Sequence, residues 1–165
     1  MEGPIYRFLA DDHARLGNLL QRVAADPNEI DRAAYTEFRA GLLKHIGMEE
    51  KILLPYAEKR RGGDPLPIAG KLRLDHGALA ALLVPNPTPR IIATIRKILD
   101  QHNAVEEGIG GIYEACEELA GDGAEALLGR LRSAPKVRTA PHVDGPQVME
   151  AAKRAVERAG YRLAE

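Results

Sequence analysis

Apolar residues recur every three or four positions through four long stretches of the chain, the spacing of helices rather than of strands. In the first, Pro4 to Ala25, residues Ile5, Phe8, Leu9, Leu16, Leu19, Leu20 and Val23 form one stripe, closed by the turn signal Asp26-Pro27-Asn28. The second runs from Asp31, a residue suited to capping, to Arg60, with Gly62-Gly63 behind it. The third is expected to start at the cap-plus-proline pair Asp64-Pro65, with an irregular entry at Pro67, and to stop at Pro85-Asn86-Pro87. The fourth starts at a similar pair, Thr88-Pro89, and ends near Gly121. A short helix over Ala124 to Leu131, a loop over 133–145 and a last helix over Pro146 to Ala159 complete the pattern.

Short turns between long helices make sequence neighbours antiparallel. The expected fold is therefore all-α: an up-down-up-down four-helix bundle over 1–121, with C-terminal extra helices and tail over 122–165. Two places strain the pattern. Pro55 has no N–H for the Lys51 carbonyl, so the second helix should kink there. Gly108, Gly110 and Gly111 together weaken the fourth by roughly 3 kcal/mol relative to alanine. Either small size is required there, for close approach or access to a cavity, or the spot is tolerated.

Composition narrows the function by exclusion. A formal net charge of -1 gives no global reason to bind nucleic acid or acidic membranes. Cys116 is the only cysteine and pairs with nothing in its own chain; a buried structural thiol is the expectation. The first residues carry acids where a secretory leader needs an apolar run, and no stretch approaches a membrane span. A soluble cytoplasmic protein is expected, with monomer and homodimer both open.

The polar positions repeat. Asp12-His13 on the first helix is echoed by Asp75-His76 on the third, and His45-x-x-x-Glu49-Glu50 on the second by His102-x-x-x-Glu106-Glu107 on the fourth. Tyr56 and Tyr113 follow seven residues after Glu49 and Glu106. His13 and His45 lie about 18 and 21 Å from their shared turn, so they meet at one level. The second hairpin matches less well, and its proline-rich turn must absorb the offset. Ligands four apart project from one helix face. His13, His45, His76 and His102 with Glu49 and Glu106 then offer four imidazoles and two carboxylates, each able to bridge. That set suits two iron ions sharing an oxo or hydroxo bridge; zinc and manganese accept the same donors. The ferritin-like Glu-x-x-His and the His-Glu-x-x-His of zinc proteases are both absent.

Glu50 and Glu107 are turned about 100° from the ligands and either support them or face solvent; Glu107 is also an alternative to Glu106. Asp12 and Asp75 are open to the same two readings. The rings of Tyr56 and Tyr113 lean back toward the metal level, where they could line a pocket or simply pack. His142 stands apart in the tail.

Single histidines alternating with His-x-x-x-Glu, and the string His45-Ile-Gly-Met-Glu-Glu-Lys-Ile-Leu-Leu-Pro55 above all, resemble the hemerythrin-like, cation-binding HHE family over about residues 5–120. Oxygen-carrying members have a second histidine on the third helix, where this chain has Leu72 and Ala80. The chain thus resembles the four-histidine bacterial branch. That resemblance implies reaction with oxygen, peroxide or nitric oxide, or iron delivery to damaged iron–sulfur clusters, in stress response or iron homeostasis. Turnover is left open. A sensor signalling to a protein partner through the C-terminal extension and a metal store without turnover are the alternatives.

Overall fold

The computed structural model describes residues 2–165, and every regular element among them is helical. Helix α1 spans Pro4–Val23 and α2 Arg32–Met48; a π-helical turn, Glu49–Leu53, joins α2 to α3, Leu54–Arg60. Then come α4 (Ala69–Leu82), α5 (Pro89–Glu107), α6 (Ile112–Ala120), α7 (Ala124–Arg132) and α8 (Pro146–Arg158). Three long rods (α1, α2–π–α3, α5–α6) and the shorter α4 form the bundle. Among the described residues no helix is long and apolar enough to cross a membrane.

The caps follow the local chemistry. Asp31 accepts from the Ala34 N–H at 2.9 Å, and Thr88 accepts from the Ile91 N–H at 3.2 Å before Pro89. At the start of α1, Gly3 has no capping side chain, and the carboxylate of Glu117 on α6 takes the N–H groups of Ile5 and Tyr6. The third helix departs from expectation. Asp64-Pro65 does not cap it; the helix begins only at Ala69, after a turn at Leu66–Ala69, and Ile68 occupies the cap position. Pro65 and Pro67 restrict the residues before them to extended backbone, so no helix winds through 64–67.

The interruption expected at Pro55 takes the form of the π turn. The Leu54 N–H reaches back five residues to the Glu49 carbonyl, and the proline then opens a fresh helical segment. In the second hairpin the offset between His76, six residues before Leu82, and His102, thirteen after Pro89, is about 10 Å along the axis. Six residues, 83–88, span it easily when extended.

Two apolar layers sandwich a polar one. Near the turns, Leu16, Leu20, Tyr35, Phe38, Leu82, Ile91 and Ile95 pack together. At the other end Ile5, Leu9, Leu53, Leu72, Cys116, Leu127 and Leu131 do the same. Between them lie His13, His45, Glu49, Asp75, His76, His102 and Glu106, all buried.

The extension is packed on the bundle. Helix α7 contributes Leu127, Leu128 and Leu131 to the second layer. Residues 134–145 have no regular structure and run back along the bundle. There Arg39 donates to the Ala140 carbonyl at 2.8 Å, the Val143 N–H donates to the Val84 carbonyl at 3.0 Å, and Asp144 accepts twice from Asn86. Helix α8 lies against α4, and Ala152, Val156, Ala159 and Tyr161 enter the first layer.

Candidate metal centre

All six expected ligands converge. Each histidine faces the centre with Nε2: His13 Nε2 is 3.1 Å from Glu106 Oε1, His76 Nε2 3.2 Å from Glu49 Oε1, His102 Nε2 3.2 Å from Glu106 Oε2, and His45 Nε2 3.6 Å from Glu49 Oε1. The donors fall into two tetrads, His13–His45–Glu49–Glu106 and Glu49–His76–His102–Glu106; within each, the atoms lie within 4.8 Å of one another. Both glutamates belong to both tetrads. Glu106 turns Oε1 toward His13 and Oε2 toward His102, the disposition a carboxylate needs to bridge two cations.

The outward nitrogens are held by carboxylates from neighbouring helices. Asp12 on α1 takes the Nδ1 side of His45 on α2 at 2.8 Å, and Asp75 on α4 takes His102 on α5 at 2.9 Å. Glu107 meets His13 Nδ1 at 2.6 Å, whereas Glu50 stands 3.6 Å from His76 Nδ1, beyond a hydrogen bond. A proton fixed on Nδ1 leaves the Nε2 lone pair free for a cation. Glu106, fully buried, faces the centre, and Glu107, about one-third exposed, braces from outside.

The charge balance points the same way. Burial would lower the pKa of His45, but Glu49 and Asp12 outweigh it and push the imidazole up to about 10. Burial likewise opposes a charge on His102, and Asp75 and Glu106 push it up to about 10. Glu49, despite burial, is held well below the ordinary carboxylate range, by His45 first. The site is built to hold anionic carboxylates against positive charge.

Whether these residues suit a metal is tested by their hydrogen bonding. His76 Nδ1 and Nε2, Glu49 Oε1 and Glu106 Oε2 are buried and have no hydrogen-bond partner. Buried polar atoms are rarely left so, and an ion is one of the few things that explains several at one point. Three of these atoms, His76 Nε2 and the two carboxylate oxygens, belong to the tetrad around His76 and His102. All six donors are nitrogen or oxygen, a set that borderline and hard cations such as iron, manganese and zinc accept.

The two tyrosines part company. The Tyr113 hydroxyl is within 3.2 Å of His13, His45, Glu49 and Glu106. Burial, then Glu49 and Glu106, push its pKa well above the usual value. Tyr56 does not reach the centre: its hydroxyl lies toward Gly123, and the Arg60 guanidinium sits over its ring at 5.7 Å. The π turn accounts for this, since one extra residue per turn rotates everything downstream by about 100°. In the other rod the chain breaks at Gly108–Gly111 instead. Gly110 has φ +74°, and a Cβ on Gly111 would lie 2.5 Å from the Val105 carbonyl oxygen. The three glycines are thus needed for a backbone break that re-aims α6 and brings Tyr113 inward.

Cys116 is fully buried, and burial followed by Glu49 and Glu106 pushes its thiol up to about 12, as a structural thiol should be. His142 stays in the tail, near the Val84 carbonyl and the Tyr35 ring. Lys71 carried no signal of its own in the sequence. It donates to Asp75 at 2.5 Å, to the Ala159 carbonyl at 2.6 Å and to the Tyr161 hydroxyl at 3.4 Å, linking the C-terminal segment to the carboxylate behind His102. Its place four residues before Asp75, on the same helical face, was the one available clue.

A cavity of about 400 Å³ reaches His13, His45, Glu49 and His102. Its walls are Leu16, Leu20, Leu42, Ile46, Leu79 and Leu99; Asn18, Gln21, Arg96 and Asp100 stand exposed at its mouth.

No curated protein and no solved structure gives a match. The family model described as the hemerythrin HHE cation-binding domain matches residues 5–84, from α1 through α4 and into the following turn. His13, His45, Glu49 and His76 lie within that segment, while His102, Glu106 and Tyr113 lie beyond it and join the same cluster through the fold. Over residues 5–84, just under half of its length, the chain matches the hemerythrin HHE cation-binding domain family.

Proposed function

We propose that the protein holds two iron ions, one per tetrad, bridged by Glu49 and Glu106, and reacts there with oxygen, peroxide or nitric oxide. The observation that carries this reading is the pair of tetrads sharing both carboxylates, with buried oxygen and nitrogen atoms left without hydrogen bonds. Two iron ions would supply redox electrons and coordination open to a small ligand. The chain does the rest. Asp12, Asp75 and Glu107 orient three imidazoles, the leucine and isoleucine walls keep the inner cavity apolar, and its mouth gives small molecules a way in. With one histidine on α4 and Leu72 and Ala80 near it, the donor set is short of the oxygen carriers', which favours reaction over reversible carriage. The test is to load the protein with ferrous ion without air and follow its absorption as oxygen, hydrogen peroxide or nitric oxide is added. A spectral change with at least one of them is expected; a loaded protein indifferent to all three refutes the reading in favour of storage.

A sensory role has one specific observation behind it: the Lys71 ammonium joins the Asp75–His102 pair to the end of α8. On that reading, adding ligand to the loaded protein alters amide exchange in residues 156–164; unchanged exchange argues against it.

A further inference from the structure

We infer that Tyr113 is itself a ligand, a seventh protein donor that makes the two metal positions chemically unlike. Donors bound to one cation at about 2.1 Å, at right angles to each other, are separated by about 3.0 Å. The Tyr113 hydroxyl oxygen is 2.9 Å from His13 Nε2, 3.1 Å from His45 Nε2, 2.8 Å from Glu49 Oε2 and 3.2 Å from Glu106 Oε1. These are the four other donors of one tetrad, each at the separation expected of groups sharing one ion. All four are charged or basic atoms, and a phenol has one proton to donate and an oxygen that accepts at most two hydrogen bonds. A hydrogen-bonding role therefore cannot serve all four contacts at once, whereas an oxygen donor beside four others accounts for all of them.

The ring is fixed in this position. Tyr113 is fully buried, the Tyr6 ring meets it edge-on at 6.1 Å, and Tyr6 is anchored by its hydroxyl on the Glu107 carbonyl. The glycine break at 108–111 exists in this rod and not in its counterpart, where Tyr56 stays outside. Among the described residues, no equivalent hydroxyl bonds to the tetrad of His76 and His102, where His76 Nε2 and Glu106 Oε2 have no hydrogen-bond partner. On ligation the O–H bond is exchanged for a bond from the phenolate oxygen to the cation, and the proton leaves to the buffer with no change in oxidation state.

This inference rests on the two-metal reading, and the experiment separates them. Full-length protein, Tyr113→Phe and Tyr56→Phe are loaded with iron, oxidised to the ferric state, assayed for bound iron, and examined by visible absorption and resonance Raman spectroscopy. Ferric phenolates give a charge-transfer band whose excitation enhances phenolate ring vibrations. The expected result is that band and those vibrations in the unmodified protein and in Tyr56→Phe, and their complete loss in Tyr113→Phe. Iron bound without phenolate vibrations, or vibrations that survive in Tyr113→Phe, overturns the assignment of Tyr113 while leaving the metal site intact. Failure of the unmodified protein to hold iron defeats the two-metal reading instead.

Discussion

Replacing Asp75 with asparagine keeps the shape of a buried side chain and removes one charge. The carboxylate is 2% exposed, accepts from His102 Nδ1 at 2.9 Å, and takes the Lys71 ammonium at 2.5 Å. Its acidity fits that use: burial opposes ionisation, but His102 and Lys71 hold its pKa below the ordinary value. An asparagine has one acceptor oxygen to offer where two are used. If that oxygen faces His102, the amide N–H₂ confronts the Lys71 ammonium. If it faces Lys71, the amide N–H₂ confronts His102 Nδ1, which must become the acceptor. The imidazole proton then moves to Nε2 and blocks the lone pair aimed at the centre. Losing such a supporting partner costs metal affinity about 10- to 100-fold, or roughly 1.4–2.8 kcal/mol. The loss belongs to one tetrad, since Asp75 touches His102 and none of the ligands of the other. A competition titration with a ferrous chelator should show one iron equivalent weakened by that factor and the other unchanged. Asp12→Asn should weaken the opposite equivalent by less, because Asp12 is 18% exposed and water can serve His45 in its place. If Asp75→Asn binds both equivalents as the unmodified protein does, or weakens both alike, the division into two tetrads braced one by one is wrong.

Other outcomes follow from the same geometry. In metal-free protein, His45 and His102 are raised from 6.5 to about 10, so their contribution to stability is fully present below pH 6.5 and lost as pH rises toward 10. Thermal melts should fall across that window, whereas metal-loaded protein, whose imidazoles have already given up those protons, should not show the fall. Gly111→Ala places a Cβ 2.5 Å from the Val105 carbonyl oxygen and should cost about 1–3 kcal/mol in urea unfolding; an unchanged midpoint means the break at 108–111 relaxes freely. Leu131→Ala in α7, fully buried in the layer shared with α1 and α4, should cost about 2–5 kcal/mol and move one cooperative transition. A separate early transition in that variant contradicts a shared core.

Much of this was legible in the sequence, for identifiable reasons. Helical periodicity is strong where one face meets a core, so the rods and the last helix stand where the apolar spacing puts them. The histidines and glutamates were legible because the hairpin repeats, and a repeated His-x-x-x-Glu has few structural uses. The start of α4 was not, since Asp64-Pro65 is a good cap by composition and only the pair of prolines at 65 and 67 prevents winding. Equal offsets made Tyr56 and Tyr113 look equivalent. A π turn in one rod and a glycine break in the other undo that symmetry, and both depend on backbone geometry that residue spacing does not encode. The repeat marks Asp12 and Asp75, but they pair across helices, Asp12 with His45 and Asp75 with His102, so no local pattern reveals which histidine each one braces. The path of residues 134–145 rests on the Val143–Val84 backbone hydrogen bond and on polar side-chain bonds from Arg39 and Asp144, to which apolar periodicity is blind.

The central claim is tested most directly by counting metal. Protein loaded with ferrous ion under anaerobic conditions and freed of excess should carry two irons per chain by mass spectrometry, and His76→Ala should carry about one. Less than half a metal per chain in the unmodified protein, or equal loading in the variant, would contradict the account.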